Sequence, residues 1–127
     1  MSGGAEVVVE QVSKAFDSGR IRALDGVSFR IEAGEFVSLT GPSGCGKSTL
    51  LNLIGLLDRP DSGSIAVGGA PLEHLPDHAE YRASTVGFVF QSHHLVATLN
   101  AVENVQIPMM GRRRSRAERQ SRAHALL

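Results

Sequence analysis

Three observations predict an α/β fold for this 127-residue chain: valine-rich, alternating segments near the N-terminus, a short apolar segment running straight into a glycine-rich loop, and an apolar helical stretch behind that loop. A hydrophobic content of 42% with 20% charged residues suits a packed core and excludes a disordered or collagen-like chain.

The elements follow in order. Glu6 to Val12 is rich in valine, and Val27, Phe29 and Ile31 alternate with Ser28 and Arg30 at the period of a half-buried strand, so two early strands are expected. Ala33-Gly34 turns the chain into Glu35-Phe-Val-Ser-Leu-Thr40, expected as a short apolar strand. Ser48 to Leu57 reads as a helix, and its apolar residues on every side make it a core helix. Asp58-Arg-Pro-Asp-Ser-Gly63 holds most turn-forming residue types and stops that helix before Ser64 to Val67 resumes as a strand. Asp77 to Ala83 is expected as a short helix, and Thr85 to Phe90 as a strand. Asn100 to Gln106 forms a helix stopped before Pro108, and Ser115 to Leu127 forms another.

Gly41-Pro-Ser-Gly-Cys-Gly-Lys-Ser-Thr49 fits G-x-x-x-x-G-K-[ST] completely and stands between a strand and a helix, where a phosphate-binding loop requires it. Gly41, Gly44 and Gly46, with Pro42, Ser43 and Cys45 between them, let successive backbone N–H groups converge on phosphate oxygens. Lys47 reaches the β- and γ-phosphates, the Ser48 hydroxyl is placed to ligate Mg²⁺, and Thr49 approaches the α-phosphate. Cys45 is either a small filler of a variable position or a thiol activated by the helix N-terminus. A guanine-specifying Asn-Lys-x-Asp is missing, since neither Lys14 nor Lys47 follows an asparagine, which argues against a small GTPase. The loop alone leaves a small-molecule kinase open.

The flanking residues decide against that kinase. Val12-Ser-Lys-Ala-Phe16, Ala23-Leu-Asp-Gly-Val-Ser-Phe-Arg-Ile-Glu-Ala-Gly-Glu35, Asp58-Arg-Pro-Asp-Ser-Gly-Ser64 and Val86-Gly-Phe-Val-Phe-Gln91 together resemble the ATP-binding subunits of ABC transporters, along essentially the whole chain. The resemblance implies a P-loop NTPase fold of ABC type with an N-terminal antiparallel β subdomain, and an adenine platform at Phe16, where the family usually has tyrosine. It makes Gln91 a γ-phosphate sensor that contacts Mg²⁺ and the attacking water. Phe-Val-Phe-Gln91 followed by Leu99-Asn-Ala-Val-Glu-Asn-Val105 is most similar to the lipoprotein-release and macrolide-export branch, although His93-His94 and Val96-Ala97 depart from its usual Phe-Asn and Leu-Pro. The resemblance further implies ATP and Mg²⁺ as ligands, a membrane permease and a second ATP-binding subunit as partners, and a place on the cytoplasmic face of the membrane.

That family's cycle also uses a Ser-Gly-Gly signature, an apolar strand ending in Asp-Glu and a switch histidine, and residues 1–127 contain none of them. The expectation is a partial ABC-type ATP-binding domain, the N-terminal half, truncated before the signature and the acidic strand. Asp58 cannot replace the acidic pair, because it follows the loop helix and points away from the phosphates. Two further readings stay open: a nucleotide-binding module without turnover, and a soluble ABC-type ATPase acting on nucleic acid.

Other features exclude or weigh little. The longest apolar run, Leu50 to Leu57, is eight residues and too short to span a bilayer, and the N-terminus lacks the basic and apolar regions of a secretory signal, so a cytoplasmic address is expected. One cysteine cannot form an intramolecular disulfide. The zero net charge is a cancellation: residues 1–111 carry 7 basic and 12 acidic side chains, residues 112–127 six arginines against Glu118. Arg112, Arg113, Arg114, Arg116, Arg119 and Arg122 form either a solvated helix face or a surface for nucleic acid or anionic lipid. The lack of interleaved aromatics argues against nucleic acid. Glu73, His74, Asp77 and His78 are metal-ligand types, but Pro76 interrupts the helix that would align them. Tyr81 reads as a packing residue, and His93 and His94 as surface residues near the partner.

Overall fold

The computed structural model describes residues 3–111 and 114–127. Arg112 and Arg113 of the arginine cluster, and the first two residues of the N-terminus, lie outside the described residues. The chain divides into two compact units, Met1–Gly87 and Phe88–Leu127.

The first unit is built on an antiparallel sheet of order β2-β1-β3-β4, with β1 Val7–Phe16, β2 Ile21–Ile31, β3 Ser62–Val67 and β4 Ala70–Pro71. The two early strands are therefore present, and longer than the valine pattern indicates. Val9 and Val12 are both buried although they are three residues apart, which simple alternation forbids. A bulge resolves this: Gln11 has φ +49°, the register of β1 shifts between Val9 and Val12, and the Gln11 N–H and side-chain amide both donate to Ser28 Oγ, at 2.8 and 3.0 Å. The bulge also dictates Gly63, because a Cβ there would lie 2.3 Å from Gln11 O. Gly68-Gly69, with φ +58° and +78°, joins β3 to β4, a short pairing the sequence reading did not anticipate.

Helix α1, Lys47–Ile54, lies against this sheet and buries Leu50 and Leu53. With Val9, Val12, Leu24, Leu56, Ile65, Val67, Leu72 and Tyr81 they form the core of the unit. The helix is shorter than expected, ending at Gly55, with Leu56 at φ +53°. Nor is it buried all round, since Leu51 and Leu57 are about half exposed. One helix face meets the sheet, while Leu51 stays outside the core.

A 3₁₀ turn, Leu72–His74, leads to α2, His78–Ser84, which begins where expected. Asp77 is its N-cap, accepting from the N–H groups of Ala79 and Glu80 at 2.9 and 3.0 Å, so its carboxylate serves the helix end. His74 and His78 fall on separate elements. Tyr81 is a packing residue: it is buried, and its hydroxyl donates to Ile54 O at 2.8 Å. Arg82 donates to Leu56 O at 2.9 Å, so α2 satisfies two carbonyls at the end of α1.

Two expected strands are not formed. Neither residues 35–40 nor residues 85–90 form a strand among the described residues, and Phe36 is 96% exposed. Their apolar composition suits a strand, but a strand exists only when a neighbour completes its hydrogen bonds, and no described segment pairs with either.

In the second unit, α3, Ala101–Gln106, and α4, Arg116–Leu126, both start with a full capping box, Asn100 with Glu103 and Ser115 with Glu118. Hydrogen bonds from the Ser115 N–H, and secondly from its hydroxyl, hold the Glu118 carboxyl below its ordinary range. Asn104 ties the preceding loop to α3, accepting from Val96 N–H at 2.8 Å and donating to Leu99 O at 3.0 Å. Phe88 stacks on Phe90 at 5.4 Å, and His94 meets Phe90 edge-on at 4.8 Å.

Candidate nucleotide-binding site

The glycine-rich loop spans residues 41–46 and passes directly into α1, so Gly41, Pro42, Ser43, Gly44, Cys45, Gly46, Lys47, Ser48 and Thr49 come together as one turn and the first residues of a helix. Gly46 caps the helix in the left-handed region at φ +92°, and its carbonyl accepts from Leu50 N–H at 2.9 Å. A Cβ at this position would lie 2.3 Å from Ala23 O and 2.9 Å from Leu24 Cδ2, so the loop touches β2 at a point only glycine permits. Gly44, at φ +81°, has open space around it.

Lys47 closes the loop on itself. Its ammonium donates to Gly41 O at 2.7 Å and Pro42 O at 2.6 Å, and lies 3.4 Å from Cys45 Sγ. A cation is thereby held at the rim of the turn, on the carbonyls of its first two residues. Ser48 is exposed at the second helical position, and among the described residues its hydroxyl has no hydrogen-bond partner. An uncommitted hydroxyl of this kind fits a hard divalent cation such as Mg²⁺.

Phe16 ends β1 and is 40% exposed. It pairs with Ile21 across the hairpin while Lys14 pairs with Leu24, the residue against which Gly46 packs. The aromatic ring and the phosphate loop are therefore flanking features of one hairpin. Gln91 lies apart from these residues in the chain, as an exposed bend residue of the second unit.

Lys14, which the sequence reading assigned no role, joins this region to the far end of α1. Its ammonium donates to Asp58 Oδ1 at 3.0 Å and Arg59 O at 2.7 Å, and lies 3.7 Å from Asp61 Oδ1. Hydrogen bonds from Lys14, and secondly from the Arg59 N–H, hold the Asp58 carboxyl below its ordinary range. Asp58 is thus committed to an ion pair at the C-terminal end of α1, opposite the phosphate loop. The only advance signal for Lys14 is its place two residues before the aromatic.

Residues 24–127 match the ABC transporter family. The chain belongs to the ABC transporter family. Among its ABC relatives, the macrolide export ATP-binding/permease protein MacB of Hyphomonas neptunium is 46% identical over 125 residues, covering 95% of this chain and 19% of that protein. The lipoprotein-releasing system ATP-binding protein LolD of Anaeromyxobacter dehalogenans is 56% identical over 92 residues, 71% of this chain and 38% of that protein. The same ABC fold is present in the post-hydrolysis dimer of the ATP-binding cassette MJ0796 bound to ADP and Pi. It matches with a TM-score of 0.82 at 40% identity, over 94% of this chain and 54% of that one. The chain thus spans about half, or less, of the length of these relatives. No helix among the described residues is long and apolar enough to cross a membrane.

Proposed function

We propose that the chain supplies the nucleotide-binding half of an ABC transporter ATPase, which takes ATP with Mg²⁺ and couples its binding and hydrolysis to movement of a membrane permease from the cytoplasmic face. The observation that carries this reading is the loop at residues 41–49, formed at the head of α1 with Lys47 at its rim, in a chain of the ABC family. The loop N–H groups and the N-terminal end of α1 bind phosphate oxygens, Lys47 neutralises their charge, and Phe16 stacks on the base. Ser48 would hold Mg²⁺, which when bound shields the β- and γ-phosphate charge, and the Gln91 amide oxygen is of the type to face that ion and the attacking water. A second ATP-binding subunit, as in the MJ0796 dimer, completes the assembly in this reading, and the permease is its membrane partner.

Calorimetric titration with ATP·Mg²⁺ tests the proposal. Lys47→Ala should weaken binding by about tenfold or more, the loss of a charge-assisted phosphate contact. Equal affinity in the two proteins contradicts it. Residues 1–127 carry no acidic strand end and no signature, so in a phosphate-release assay they should show no turnover that Gln91→Ala removes.

A further inference from the structure

We propose that Lys14 is a positioning residue for the nucleotide base, holding the Phe16 ring in place and strengthening its preference for a purine. The inference rests on the nucleotide-binding reading above.

The Lys14 side chain is only 12% exposed, although lysine normally keeps its ammonium in water. Its burial is explained by what surrounds it: Asp58, the Arg59 carbonyl and Asp61 on one side, and the Phe16 ring 5.4 Å from Nζ to centroid on the other. The same anchor grips the neighbouring backbone. Ala15 N–H donates to Asp61 Oδ2 at 2.7 Å, and Asp61 N–H donates to Ser13 O at 2.9 Å. Residues 13–15 are therefore clamped to residues 58–61, and Phe16 is the first residue beyond the clamp. Behind it the chain reverses at once through Asp17, Ser18 and Gly19, all at positive φ, with Gly19 N–H donating to Phe16 O at 3.2 Å.

An aromatic ring at a hairpin tip is ordinarily free to turn about its side-chain bonds, and stacking then bears the entropy of stopping it. An ammonium lying over the ring, itself fixed by two carboxylates and a carbonyl, removes part of that freedom beforehand. It also draws on the π density of Phe16, which lowers repulsion against a stacked, electron-rich base. The larger ring system of a purine gains more from both effects than a pyrimidine does.

The test is titration of the full chain with ATP·Mg²⁺, CTP·Mg²⁺ and tripolyphosphate·Mg²⁺. Lys14→Ala, and Lys14→Met as a variant that keeps the packing of the aliphatic stem, should each weaken ATP binding by about three- to tenfold. They should leave tripolyphosphate binding unchanged and narrow the ATP to CTP ratio. Lys14→Arg should restore ATP binding, and Lys14→Met added to Phe16→Ala should cost nothing further, because Lys14 acts through the ring. A folded Lys14→Met that binds ATP as well as wild type overturns the proposal, as does one that loses ATP and tripolyphosphate alike, the mark of a merely structural role. Wild type binding neither ligand overturns the nucleotide reading and this proposal with it. Wild type binding both, with Lys14→Met indifferent, overturns this proposal alone.

Discussion

Gly44 and Gly46 both lie at positive φ, +81° and +92°, but in different surroundings, and that difference separates the consequences of an identical substitution. Alanine at Gly44 meets open space and bears only the strain of the left-handed region, about 1–2 kcal/mol. Alanine at Gly46 adds a clash with the Ala23 carbonyl, so the loop or β2 has to move. Denaturant unfolding should show Gly46→Ala less stable than Gly44→Ala by at least about 1 kcal/mol, with weaker ATP binding. Comparable stability in the two variants would show that the contact between loop and β2 gives way easily. The turn at residues 41–46 and the helix behind it were legible in the sequence because their determinants are local: nine consecutive residues carry the glycines, the lysine and the helix start. The setting of Lys14 was not, because its contacts are with Asp58 and Asp61, which only the fold brings to it.

Among elements, α2 shows how a short helix stabilises a longer one. Burial pushes the Tyr81 phenol up from 10.0 to about 12, so the folded chain keeps the proton that the hydroxyl donates to Ile54 O. A folded pKa raised above the unfolded one contributes stability that is complete below pH 10 and is lost as the pH climbs toward about 12. Tyr81→Phe should therefore cost about 1–2 kcal/mol at neutral pH, since the Ile54 carbonyl loses its donor, and should flatten the alkaline decline in melting temperature. A decline as steep as in wild type would assign it to another group. The hairpin of β1 and β2, α2, α3 and α4 were all readable from alternation or from caps such as Asp77, Asn100 and Ser115. The bulge was not read, although Val9 and Val12, three apart in one valine run, carry its signature. Segments 35–40 and 85–90 form no strand despite their composition, because apolar content reports what a segment would bury, whereas strand formation needs a distant partner.

At the scale of the molecule, the first unit owes its cohesion to one core beneath the sheet. Leu53 is fully buried at its centre, and truncating it to alanine would cost about 2–5 kcal/mol. The segment carrying Phe36, Val37 and Leu39 adds little to that core. Among the described residues its backbone joins no sheet, and it carries a nearly bare phenylalanine ring, a combination that favours cross-strand association between molecules. The colloidal behaviour of the chain should therefore be set by residues 36–39 and not by its zero net charge. Sedimentation at rising protein concentration should reveal self-association that Phe36→Lys or Val37→Lys suppresses. Wild type that stays monomeric throughout would place the limit elsewhere. Where association does occur, the phosphate loop begins only a few residues downstream, so aggregate growth and nucleotide occupancy should compete. If the proposed nucleotide site is right, ATP would then act as a solubiliser of this protein in storage.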